Sequence, residues 1–86
     1  MTKTQHATLK WLAEIGGTCV AWRDKVAHPD EAAWRSKKGA ARPHNDVMRT
    51  QLMPATSALH LVARGCIEAR GGQLHITQLG RLELWP

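Results

Sequence analysis

Histidine is the residue type of this chain that could most readily take part in acid–base chemistry. His44 stands beside Asn45 and Asp46, and His75 faces Glu68 across a predicted hairpin. Either arrangement could form an acid–base pair, although a structural role explains each of them more simply. No nucleophile has a base and an orienting partner close by, and the sequence has no glycine-rich phosphate loop. We therefore expect no catalytic residues and no enzymatic activity.

The two cysteines, Cys19 and Cys66, are widely separated and form no CxxC pair. Histidines at zinc-ligand spacing are also missing, so we expect no metal site and no cofactor. The N-terminal sequence MTKTQHATLKW lacks the apolar stretch of a signal peptide. These features predict a cytoplasmic protein with reduced thiols, and the short apolar runs predict no membrane span.

Positive charge is concentrated in one part of the chain. The formal net charge is +5, but residues 1–34 carry four basic and four acidic side chains and are neutral. The segment RSKKGAARPHNDVMR has five basic residues against one acidic residue, which gives it +4. Such a cluster is typical of proteins that bind a polyanion, and equally of a solvated surface loop. Its basic members are Arg35, Lys37, Lys38, Arg42 and Arg49.

A chain of 86 residues is expected to form one domain, here residues 1–86, around one core. The first helix is predicted to begin at the N-cap Thr4 and to end at Gly16. An isolated strand, TCVAW, follows and must pair with a distant segment. Residues 23–44 form a predicted irregular basic insertion, with a short helix beginning near Pro29. A helix of two turns, NDVMRTQL, is predicted next.

The segment 54–64 has the features of a self-contained helix. Pro54 is tolerated in a first helical turn, and Gly65 can adopt the left-handed conformation that ends a helix. Ala55, Leu59 and Val62 are spaced to face the core. The opposite face is predicted to be polar and solvent-exposed, and to consist of Thr56, Ser57, His60 and Arg64.

Residues 66–77 predict a β-hairpin with Gly71 and Gly72 as its two turn residues. Counting outward from the turn places Ile67 opposite Ile76 and Glu68 opposite His75. One face of the hairpin is then apolar and the other polar. The hairpin edge offers a partner for the TCVAW strand, and Thr77 can cap a final helix, QLGRLELW.

This order of elements, with ALHLVARGCIEARGGQLHITQLGRLEL, resembles the winged helix-turn-helix family. The resemblance implies an α+β fold of three or four helices, a C-terminal hairpin wing and one short extra strand. It also implies that helix 54–64 enters the major groove of double-stranded DNA and that the wing tip, with Arg70, touches backbone or minor groove. Thr56, Ser57, His60 and Arg64 would be the reading face of a small transcriptional regulator.

A second function remains open on the sequence alone. A winged helix can serve as a protein-interaction module, for instance an adaptor or inhibitor of a nucleic-acid-handling complex. The aromatic residues of the chain are four tryptophans, and the last of them, Trp85, lies in LELWP. This segment could form the seam of a homodimer, or Trp85 could fold back over its own core.

Overall fold

A computed structural model of the chain describes residues 1–37, 39 and 41–85. This part forms an α+β fold, as expected, with five helices and one antiparallel sheet of five strands, where three or four helices had been predicted. The strand order is β3-β2-β1-β5-β4. The helices are α1 Lys3–Glu14, α2 Pro29–Arg35, α3 Val47–Thr50, α4 Ala55–Ala63 and α5 Gln78–Glu83; the strands are β1 Thr18–Trp22, β2 Lys25–Ala27, β3 Leu52–Pro54, β4 Ile67–Arg70 and β5 Gln73–Ile76.

The core lies between one face of the sheet and the helices α1 and α4. Leu9 and Leu12 of α1 and Leu61 of α4 are completely buried there. On the other face of the sheet α2 packs against β1, with Arg35 lying over the Trp22 ring. Cys19 is the residue of β1 that is buried in the core; Trp22, on the opposite face of the strand, is partly covered by α2.

The first helix begins two residues earlier than the sequence predicted. Thr2, not Thr4, is the N-cap: its hydroxyl accepts from the backbone N–H of Gln5, and the Gln5 side chain accepts from the backbone N–H of Thr2. Such a capping box needs a glutamine or glutamate three residues after the cap. Ala7 occupies that position relative to Thr4, so Thr2 is the better cap.

Residues 23–44 are more regular than predicted. Arg23 adopts a positive φ of 56° in a tight turn that reverses the chain, and β2 then pairs with β1. The short helix predicted at Pro29 is confirmed as α2. The helix predicted from Asn45 to Leu52 is one turn long, because Gln51 is extended and Leu52 begins β3, which pairs with β2.

The hairpin prediction is confirmed pair by pair. Ile67 pairs with Ile76 and Glu68 with His75, and Gly71 and Gly72 have positive φ values of 60° and 76°. The TCVAW strand, β1, pairs with β5 of this hairpin, as expected. On the predicted apolar face Ile67 is buried, whereas Ala69 is exposed.

Helix α4 is rotated relative to its predicted orientation. Ser57 was expected on the exposed polar face, but it is only 6% exposed, while Leu59, expected in the core, is 62% exposed. The packing of α4 against α1 is the cause, because it buries the arc that contains Ser57, Ala58 and Leu61. Pro54 lies just before the helix as its N-cap.

Two hydrogen bonds of the Thr77 hydroxyl and a close backbone contact position helix α5. The Thr77 hydroxyl donates to the Gly65 carbonyl at 2.6 Å and accepts from the Gly80 N–H at 3.0 Å. Gly80 is buried against the carbonyl of Cys66, where a side chain would not fit.

In the described part of the chain, no helix has the length and apolar character needed to cross a bilayer.

Candidate nucleic-acid interface

The exposed surface of α4 presents a polar stripe at helical spacing. Thr56, His60 and Arg64 follow one another at intervals of four residues, and all three are exposed. Ser57, the fourth member of the predicted reading face, is buried and is not available to a ligand. The stripe on the surface is therefore formed by three of the four predicted residues.

The His60 ring is oriented by the first helix. Its Nδ1 lies 3.1 Å from the side-chain nitrogen of Gln5, whose side-chain oxygen already accepts from the backbone N–H of Thr2. The Gln5 amide thus donates to Nδ1, and the neutral imidazole carries its proton on Nε2. A ring held in this way presents an N–H donor at a fixed position on the stripe.

The hairpin follows α4 immediately and places Arg70 at its tip. Arg70 is exposed and precedes the turn formed by Gly71 and Gly72. On the same face of the hairpin His75 contacts Thr18 of β1, with 3.1 Å between Nδ1 and the hydroxyl oxygen. The stripe of α4 and the tip of the hairpin are thus two exposed polar features separated by only a few residues.

Two members of the basic cluster surround a buried carboxylate. Glu31 is completely buried, and its Oε2 accepts from Arg35 Nε at 2.6 Å and from Arg42 Nη2 at 3.2 Å. His44 Nε2 lies 3.6 Å from the other carboxylate oxygen. Charge-assisted hydrogen bonds of this kind are stronger than those between neutral groups. The role of Arg35 and Arg42 as phosphate ligands stays a prediction, and the fold already uses both side chains.

Tryptophan rings also contact these guanidinium groups. Arg42 lies 4.1 Å from the centre of the Trp34 ring, while Arg23 and Arg35 lie 4.6 and 5.4 Å from the centre of the Trp22 ring. Cation–π contacts and the ion pairs with Glu31 together hold the guanidinium groups in place. Arg35 and Arg42 are consequently held in place by the fold, with Glu31 offsetting one of their charges.

The remaining basic residues of the cluster are in different environments. Lys37 is exposed just after α2, and Arg49 is exposed on α3. The Arg49 carbonyl lies 3.3 Å from His44 Nε2, which connects α3 to the buried carboxylate. Lys38, also predicted to bind DNA, lies outside the described residues. Lys37 and Arg49 are thus the described cluster members whose charge faces solvent without a partner on Glu31.

His28 completes this region at the start of α2. Its Nδ1 accepts from the backbone N–H of Asp30 at 3.0 Å, and its ring meets the His44 ring edge-on at 5.4 Å. Burial lowers the pKa of His28 from its ordinary 6.5, and the nearby charge of Asp30 opposes that shift. A neutral imidazole is also what the hydrogen bond requires, since a protonated Nδ1 cannot accept.

The residues considered for catalysis and metal binding have structural roles. Asp46 caps α3 by accepting from the backbone N–H of Met48 at 2.8 Å, and His44 faces Glu31. Burial raises the pKa of the Cys19 thiol to about 12, so the thiolate is disfavoured. Among the described residues, no group of three or more histidine, cysteine or acidic side chains could hold a metal ion.

A groove with apolar walls lies between α4 and the hairpin. Its volume is about 440 Å³. Leu59 stands on the α4 side, and Ala69 and Leu74 lie on the hairpin side. The sequence interpretation missed this groove because it assigned Leu59 to the core.

The C-terminal segment exposes a second group of apolar side chains. Trp85 is 79% exposed and Leu82 is 60% exposed, whereas Trp11 is buried and donates from Nε1 to the Met48 carbonyl at 2.8 Å. The alternative in which Trp85 covers its own core is therefore wrong.

Comparison with known proteins assigns no family to this chain, since no family model, no curated protein and no solved structure matches it.

Proposed function

We propose that this chain binds double-stranded DNA as a small transcriptional regulator of the winged-helix type. The observation that carries the proposal is the exposed stripe of Thr56, His60 and Arg64 on a helix that leads directly into an exposed hairpin. A helix with such a stripe suits the major groove, and a hairpin beside it suits the adjacent backbone. In this proposal α4 reads bases and the hairpin touches phosphates or the minor groove.

The chemistry of the stripe supports discrimination between bases. Arg64 can donate two parallel hydrogen bonds to O6 and N7 of guanine, the most frequent specific contact in protein–DNA complexes. The Nε2–H of His60 can donate to an acceptor on a base edge, and Gln5 holds the ring for this contact. Thr56 offers a hydroxyl and a methyl group, which suits either a polar base edge or a thymine methyl.

The charge needed for backbone binding comes from residues outside the Glu31 cluster. Lys37, Arg49 and Arg70 are exposed, and Lys38 completes the predicted set. Each phosphate contact contributes to affinity through counterion release without carrying sequence information. Arg35 and Arg42 add to the positive electrostatic potential, but both side chains are already engaged by the buried carboxylate of Glu31.

A specific observation favours a second candidate function, a protein-interaction module. Leu59 is 62% exposed beside the stripe, and it lines the apolar groove between α4 and the hairpin. Protein–DNA interfaces are polar and positively charged, whereas an exposed leucine in a groove is typical of protein interfaces. In this alternative the chain is an adaptor or inhibitor that does not contact DNA.

Fluorescence anisotropy with a labelled duplex separates the two candidates. We expect His60→Ala with Arg64→Ala to cost about 1–3 kcal/mol per lost base contact, on the preferred sequence only. Lys37→Ala with Arg49→Ala should weaken binding to every duplex and flatten the salt dependence by roughly 0.9 log units per lost contact. Leu59→Ser is the matched control on α4 and should leave DNA affinity unchanged. A loss of DNA affinity in the Leu59 variant alone would contradict the assignment of DNA binding to the polar stripe of α4.

A further inference from the structure

Strand β4 forms a free edge of the sheet. It is the last strand in the order β3-β2-β1-β5-β4, and its residues Glu68, Ala69 and Arg70 are exposed. Helix α5 crosses at the other end of the strand, where Gly80 meets the backbone of Cys66. An edge of this kind presents unpaired backbone donors and acceptors to another chain.

The register of the hairpin determines which backbone groups point outward. Arg70 and Gln73 close a two-residue turn and therefore form a hydrogen-bonded pair, and such pairs alternate along an antiparallel ladder. Glu68 and His75 form the next hydrogen-bonded pair. Ala69 lies between them in a non-hydrogen-bonded pair with Leu74, so its N–H and C=O are directed away from β5 to the free edge.

An outward-pointing Ala69 is the natural centre of a symmetric strand pair. Two antiparallel copies of β4 centred on this residue place Ala69 opposite Ala69 of the second copy, where the two residues exchange N–H···O=C bonds. Glu68 then stands opposite Arg70 of the second copy, and Arg70 opposite Glu68 of the second copy. These are non-hydrogen-bonded pairs, in which facing side chains come closest.

The charges on this edge attract a second copy instead of repelling it. Within the described residues neither Glu68 nor Arg70 forms an ion pair. Charged side chains usually protect an edge strand, and two charges of the same sign at these positions would repel a second β4. Opposite signs two residues apart on one face form two favourable cross-strand pairs in the symmetric arrangement.

We propose that two copies of this chain associate through their β4 edges, with Ala69 on the two-fold axis and reciprocal Glu68–Arg70 pairs. Opposed residues share a face of a sheet, so both α4 helices lie on the same face of a continuous ten-stranded sheet. Leu59 and Ala69 line the same groove, and each groove therefore opens towards the axis. The association forms in the absence of DNA. In the dimer Glu68 of the second copy engages Arg70, so the phosphate contacts of the proposed DNA binding then fall to Lys37, Lys38 and Arg49.

Sedimentation equilibrium of the free protein at low salt tests this assembly by charge reversal. We expect the wild type to dimerise, and Glu68→Arg or Arg70→Glu alone to raise the dimer Kd on the order of tenfold to a hundredfold, because attraction becomes repulsion at two pairs. The double variant Glu68→Arg/Arg70→Glu should restore the wild-type Kd. Arg64→Glu is the control for Arg70→Glu, because it makes the same change in net charge outside the edge, and circular dichroism checks that each variant is folded.

Two results would overturn the proposal. One is a monomeric wild type at concentrations of roughly 100 µM, well above the Kd of a functional dimer. The other is a dimer that both single reversals leave intact; its loss in Leu82→Asp would then assign the interface to the C-terminal apolar segment. Because no DNA is present, either result is separate from the success or failure of the DNA-binding proposal.

Discussion

Replacing both arginines that contact Glu31 should destabilise the domain more than removing the carboxylate itself. Arg35→Met/Arg42→Met keeps unbranched side chains but removes the guanidinium groups, so Glu31 Oε2 loses both of its guanidinium donors and the rings of Trp22 and Trp34 lose their cation–π contacts. The carboxylate is 0% exposed, so water cannot replace them without opening the fold. Leaving a buried charge without its partners costs about 3–5 kcal/mol in free energy of unfolding.

The converse change, Glu31→Gln, should be milder. The amide oxygen still accepts a hydrogen bond, and the guanidinium groups can recruit water because the side chains of Arg35 and Arg42 are 29% and 38% exposed. We expect a loss of about 1–2 kcal/mol, the range for one weakened hydrogen bond to a charged group. Adding Glu31→Gln to the double arginine variant should recover most of the lost stability, since the uncompensated charge is then gone.

Urea denaturation followed by tryptophan fluorescence and circular dichroism measures these differences directly. Lys37→Met is the matched control, because it removes one positive charge from the same region without touching Glu31, and it should change the unfolding free energy by less than about 0.5 kcal/mol. A double arginine variant that loses less than about 1 kcal/mol, or no recovery in the triple variant, would refute the role assigned to the pairs.

Three further predictions follow from other parts of the structure. The lowered pKa of His28 means that, below pH 6.5, the unfolded chain binds a proton that the folded chain resists. The free energy of unfolding should therefore fall as pH decreases below that value. His28→Asn keeps the capping acceptor and should make this pH dependence shallower; an unchanged dependence would contradict the role given to His28. Gly80→Ala should lower the free energy of unfolding by about 1–3 kcal/mol, although alanine favours helices more than glycine does. The reason is that the added Cβ overlaps the Cys66 carbonyl oxygen and lies 2.9 Å from Ile76 Cγ1. Thermal melts, with Gln78→Ala as the control, measure the change in stability. Iodoacetamide should label Cys19 in a Cys66→Ser variant only as fast as the fold opens, since burial raises the pKa of the thiol to about 12, and rapid labelling of folded protein would show that the thiol is accessible.

The hairpin and the start of α5 could be predicted from the sequence because their determinants are local. Two adjacent glycines fix the turn, the turn fixes the register, and the register assigns every side chain from Ile67 to Ile76 to a face. Thr77 as the cap of α5 follows from the same local reasoning. Strands β2 and β3 have three residues each, which is too few for a periodic signal, so neither strand was predicted.

The orientation of α4 and the burial of Glu31 depend on distant parts of the chain. Apolar residues occur on more than half of the α4 circumference, and only contact with α1 decides that Leu59, not Ser57, is exposed. The spacing of Glu31 and Arg35 by four residues was a signal for an ion pair on α2. The burial of that pair was not predictable, because it also requires Arg42, which comes from the chain beyond α2.

The salt dependence of duplex binding tests the central proposal most directly. With Lys37, Lys38, Arg49 and Arg70 as phosphate ligands, the logarithm of the binding constant should fall with the logarithm of salt concentration with a slope of about −3 to −4. Affinity should then drop roughly a hundredfold between 50 and 200 mM salt, and the preferred sequence should retain its advantage over random duplex. An absence of duplex binding at the lowest salt, where counterion release is most favourable, would contradict DNA binding and leave the protein-interaction candidate.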